Sequence, residues 1–90
     1  MAEPVTRDAL RAEILRLTAL RGPEKSICPS EVARALAPED WRRHMTAVRA
    51  AAAELSAAGA VQILRKGKPI APEAMHGVIR LRQPPTETTP

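Results

Sequence analysis

Ninety residues and 9.7 kDa allow one small domain and exclude a multidomain arrangement. Trp41 is the sole aromatic residue, so the core has to be assembled from Leu, Ile, Val and Met around one indole, and the single cysteine, Cys28, excludes an internal disulfide framework. The net charge of +4 is unevenly spread: residues 1–40 carry six Lys/Arg against seven Asp/Glu, whereas residues 41–82 carry eight against two, so the basicity belongs to one half and points to a polyanionic partner.

The first predicted element is a helix capped by Thr6, in which Leu10, Ile14 and Leu17 recur at helical spacing. Gly22-Pro23 ends it, with Arg21 in the last turn where a cation suits the helix dipole. A second helix starts after Cys28, with Pro29 at its first position and Glu31 placed to bond back to the cap, and it buries Val32, Ala33 and Leu36. Ala37-Pro38 stops it.

The third helix is predicted from Pro38, with Glu39 and Asp40 in its first turn and an apolar stripe of Trp41, Met45, Val48, Ala52 and Leu55. This spacing puts Trp41 in the core. Arg42, Arg43, Thr46 and Arg49 fall around the outer side, followed by a smooth run of Ala50, Ala53 and Ala57; Gly59 ends the helix. Beyond it, Val61 and Ile63 alternate with Gln62 as in a strand, Gly67-Lys68-Pro69 interrupts the pattern, and Val78–Arg82 forms a second strand. The segment between these strands is too long for a tight turn and reads as a basic wing carrying Lys66 and Lys68. The expected domain is therefore residues 6–82, between a flexible N-terminus, 1–5, and a disordered tail, 83–90. Its class is α+β: a three-helix winged helix-turn-helix with a C-terminal two-stranded hairpin as its wing.

The ordered string Cys28-Pro29-Ser30-Glu31-Val32-Ala33-Arg34-Ala35-Leu36, then Trp41-Arg42, Val48-Arg49, Arg65-Lys66-Gly67 and Gly77-Val78-Ile79-Arg80-Leu81 resembles an uncharacterised bacterial family of small winged-helix proteins, a domain of unknown function. The resemblance covers roughly residues 6–82. It supports the fold and brings no assigned activity or functional residues.

Function is sought in the basic half. Arg42, Arg43 and Thr46, early in the third helix, are the candidates for duplex base edges; Arg49 is placed for phosphate, and Lys66 and Lys68 for the backbone alongside the wing. The lack of further aromatic rings disfavours single strands, which need stacking platforms. Duplex nucleic acid, in the manner of a transcriptional regulator, is the expected partner. The alternative is a protein-interaction or adaptor module, or a homodimer, docking on Ala47, Ala50, Ala53 and Ala57. No nucleophile and base pair, glycine-rich phosphate loop or acid cluster marks an enzyme, and His44 and His76 have no carboxylate at ligand spacing. No cofactor or metal is expected. Met1-Ala2-Glu3-Pro4 lacks the basic and apolar regions of a signal peptide, no apolar run approaches a membrane span, and a cytoplasmic location is expected.

Overall fold

The computed structural model describes residues 5–85. The expected flexible N-terminus and disordered tail lie outside the described residues, apart from Val5, which packs half-buried against the core, and residues 83–85.

Helix α1 spans Arg7–Arg21, and its N-terminus is closed by Thr6, whose Oγ1 accepts the Ala9 N–H at 3.0 Å. Its inward stripe is Leu10, Ile14 and Thr18. The buried hydroxyl of Thr18 costs little because it donates to the Ile14 carbonyl at 2.8 Å. Helix α2, Pro29–Leu36, begins behind Cys28 with the reciprocal bond read from its sequence: Glu31 Oε2 accepts the Cys28 N–H at 2.8 Å. The other carboxylate oxygen, Oε1, accepts from Arg21 Nη2 at 2.6 Å, so one side chain caps α2 and ties it to the end of α1.

The chain enters helix α3, Met45–Ala57, through a 3-10 turn at Trp41–His44. The start read at Pro38 is therefore corrected. Four residues of 3-10 helix accumulate about 80° more rotation than four of α-helix, which swings Trp41 off the apolar stripe. Val48, Ala51, Ala52 and Leu55 are buried, whereas Trp41 is half-buried at the rim of the core rather than inside it. Glu54 fastens α3 to α1, accepting from Arg11 Nη1 at 2.8 Å and lying 3.5 Å from Arg7 Nη1.

Three antiparallel strands complete the domain: β1 (Gln62–Arg65), β2 (Lys68–Ile70) and β3 (Arg80–Arg82), in spatial order β2-β1-β3. The pairing of the two predicted strands is present as β1 with β3, in the register Ile63↔Leu81. The third strand lies in the segment read as wing loop. Lys66 and Gly67, with φ of 53° and 81°, form a two-residue turn that reverses the chain onto the free edge of β1. Pro69 is tolerated there because β2 is an edge strand. A 3-10 turn at Pro72–Ala74 then packs near α3, and the chain crosses back to β3.

On the helix-facing side of the sheet, Ile63 and Leu81 are fully buried with Ile14, Ile27, Val32 and Val48. Ile27, in the α1–α2 linker, exchanges both backbone hydrogen bonds with Leu81 at 2.8 Å, so β3 is paired along both edges. Three helices followed by this sheet form an α+β fold consistent with a winged helix.

Removing the fully buried Leu81 side chain opens a cavity in the core where β3 pairs with β1 and with Ile27. Leu81→Ala is expected to cost about 2–5 kcal/mol, a large part of the stability of so small a domain, and to lower the urea midpoint sharply. Val78→Ala, at an exposed site, should leave that midpoint in place.

Partial burial pushes the Glu31 carboxyl upward, but the Cys28 N–H, the Arg21 guanidinium and the nearby Arg80 charge outweigh it and hold its pKa below the ordinary 4.5. The stabilisation is thus complete above pH 4.5 and disappears as pH falls through the lower folded value. Glu31→Gln should unfold at lower urea than the parent near neutral pH, and the gap should narrow as the solution is acidified below 4.5.

Candidate functional site

The six residues singled out in the sequence fall into three local settings. Arg42 and Arg43 stand in the 3-10 turn, not on the first turns of α3 as read from the sequence, because the α-helix begins only at Met45. The Arg42 guanidinium stacks over Trp41, 4.6 Å from the ring centroid, and Arg43 Nη1 lies 3.3 Å from Asp40 Oδ2, so half of this pair's charge is already answered. Thr46 is exposed on the first turn of α3. Lys66 and Lys68 flank the β1–β2 turn, both exposed.

Arg49 links the helix to the sheet. Its Nη1 donates to the Gly77 carbonyl at 3.0 Å, across 28 residues of chain, and so fastens the segment leading into β3 against the flank of α3. Around that anchor two further groups are ordered. Arg65 Nη1 donates to His76 Nε2 at 2.7 Å, and His76 Nδ1 donates to the Ala74 carbonyl at 2.7 Å. A guanidinium can only donate and a carbonyl only accept, so these two contacts fit the tautomer that carries its proton on Nδ1. The Arg65 guanidinium also lies 3.7 Å from where a Cβ of Gly77 would stand, so Arg49 and Arg65 meet at this glycine.

The cations continue onto the outer face of the sheet. Arg80 donates through Nε to Ser26 Oγ at 2.6 Å and through Nη2 to the Ser26 carbonyl at 3.0 Å. Arg82 grips Gln62 Oε1 with Nε at 3.1 Å and Nη2 at 2.6 Å. Neither guards an open edge, because Ile27 closes the side of β3 that β1 leaves free. Between Arg80 and the β1–β2 turn runs a groove of about 460 Å³, lined by Leu64 and Val78 and edged by Ser26, Arg65, Lys66 and Arg80. Val78 is 86% exposed, the largest exposure among the bulky apolar side chains described.

The charge partners separate the two halves of the domain. On the helical side, Arg7 and Arg11 pair with Glu54, Arg16 with Glu13 and Arg21 with Glu31. Among the described residues, Arg49, Arg65, Lys66, Lys68, Arg80 and Arg82 have no carboxylate within ion-pairing distance, and the four arginines donate only to neutral groups. Glu31, whose carboxyl feels the Arg80 charge, marks the border. A neutral acceptor orients a guanidinium without cancelling its charge, so this side presents aimed cations with a net positive field.

Arg65, Arg80 and Arg82 join the site through contacts over long sequence separations, and only the charge excess of the C-terminal half foreshadowed them. Cys28 is half-buried as the cap residue of α2 and accepts from Ser30 Oγ at 3.1 Å. Among the described residues no three His, Cys, Asp or Glu side chains gather in a way that could hold a metal ion, and no helix is long and apolar enough to cross a membrane.

No curated protein matches the chain. The stretch that does find a counterpart coincides with the folded unit just described, from the first residue of α1 to just beyond β3. Residues 7–84 match the family described as protein of unknown function (DUF3253), and the chain belongs to that family.

Proposed function

We propose that the domain binds duplex nucleic acid, with the flank of α3 and the β1–β2 turn lying along the phosphate backbone, and serves as a transcriptional regulator. The observation that carries this reading is the segregation of ion pairs: carboxylates answer the arginines of α1, while those around Gly77 and on the outer sheet face rest on neutral acceptors. A surface of this kind gains free energy by displacing the counterions condensed on a polyanion. Arg49, held against Gly77, is the phosphate contact nearest the helix. Lys66 and Lys68 contribute affinity along the backbone without reading sequence. On the first turn of α3, Thr46 remains the side chain for base edges, whereas Arg43 is drawn toward Asp40 and Arg42 is held on Trp41.

Duplex is preferred to single strands because the one aromatic ring is already occupied by arginine side chains. The domain is read as a binding module without catalytic function: among the described residues no side-chain hydrogen bond pairs a nucleophile with a base.

Titration of a labelled random-sequence duplex, followed by fluorescence anisotropy between about 50 and about 200 mM salt, should give a log–log slope of about −4 to −5, corresponding to some five neutralised phosphates. Lys66→Ala with Lys68→Ala should make that slope shallower by about two while leaving the fold intact. Absence of binding at the lowest salt would remove the reading, and capture of a protein partner insensitive to these substitutions would replace it.

A further inference from the structure

We propose that Arg34 and Arg42, stacked on Trp41, form a phosphate clamp at the α2–α3 turn. The assignment rests on the duplex reading and adds to it a second contact, in the turn that precedes α3.

Arg34 leaves the last turn of α2 and Arg42 the 3-10 turn, and both converge on the indole, with guanidinium carbons 4.3 and 4.6 Å from its centroid. Both are exposed, and neither has a carboxylate or any other hydrogen-bond partner among the described residues. In this they differ from Arg49, Arg65, Arg80 and Arg82, each of which spends N–H groups on a neutral acceptor. A ring occupies the face of a guanidinium and leaves the donors on its edge free, so each side chain is oriented while its bidentate fork stays open.

Sharing one ring holds the two cations no more than about 9 Å apart, close to the Debye length of about 8 Å at physiological salt, so their repulsion is only partly screened. Nothing described relieves it. Of the acids bordering the adjacent groove, which has a volume of about 410 Å³, Asp40 turns to Arg43. Glu39 lies at the same groove and weakens the local field, so capture of an anion there depends on directed N–H donors rather than on charge alone. The ligand class that matches is an oxyanion with several acceptor oxygens, as a phosphate group presents, whether in a nucleic-acid backbone or free in solution.

Trp41 is the only strong fluorophore in a chain with no Tyr or Phe, so its emission reports on the stack directly. The full chain is titrated with a labelled duplex, reading label anisotropy and Trp41 emission together, and separately with inorganic pyrophosphate at matched ionic strength. The comparison is the double variant Arg34→Lys, Arg42→Lys, which keeps both charges and loses both planar forks. The clamp predicts that emission and anisotropy follow one binding curve and that the variant binds about tenfold more weakly. Duplex binding with unchanged emission and an unimpaired variant overturns the clamp and leaves the duplex reading standing. Should no duplex bind, that reading fails, and pyrophosphate decides the clamp alone: a saturable emission change missing from the variant supports it, and a flat titration overturns it.

Discussion

Two backbone hydrogen bonds of 2.8 Å between Ile27 and Leu81 are the closure on which the rest of this domain depends. They join the linker between the first two helices to the last strand, across most of the chain, and occupy the edge of β3 that β1 leaves free. With that pair made, Leu81 meets Ile63 across the sheet, the helix-facing side chains become a single core, and Arg80 is brought to Ser26 at the border of the helical half. In a domain this small, with one aromatic side chain, few alternative contacts are available to take its place.

The closure also decides where charge accumulates. Because β3 returns along β1, the segment before it must cross beside α3, and Arg49 seizes its Gly77 carbonyl there. The cations of the C-terminal half are thereby assembled around one loop and one sheet face, while Glu54 and Glu31 are engaged by Arg11 and Arg21 on the helical side. Packing and electrostatics work in the same direction: the contacts that fasten helix to helix engage Glu54 and Glu31, and the contact that fastens α3 to the segment before β3 uses a neutral acceptor. The polarity of the primary structure, acidic before residue 40 and basic after it, becomes a polarity of surface.

Much of this was legible in advance, for physical reasons that differ by element. The Thr6 cap, the Cys28 and Glu31 pair and the pairing of the two predicted strands depend on short-range patterns or on period-two alternation, and each is present in the structure. Trp41 was misplaced because i, i+4 spacing cannot distinguish one turn of 3-10 helix from one of α-helix, and the difference moved Arg42 and Arg43 off α3 with it. Strand β2 was hidden by Pro69, a breaker in a central strand but not in an edge strand, and by a Lys66-Gly67 turn lacking the usual Asn or Asp. Of the site, the basic character could be read from composition; the acceptors that aim it, Gly77, His76, Ser26 and Gln62, could not, because each lies 11 to 54 residues from the arginine it holds.

The account stands on the arginines and lysines around Gly77 forming the face that meets a polyanion. Amide chemical-shift mapping during titration with a short duplex tests this most directly. The expected result is a set of perturbed resonances confined to residues 33–35, 41–50, 65–68 and 76–82, with the outward face of α1 unmoved. Perturbations centred on α1, or spectra unchanged at low salt, would contradict it.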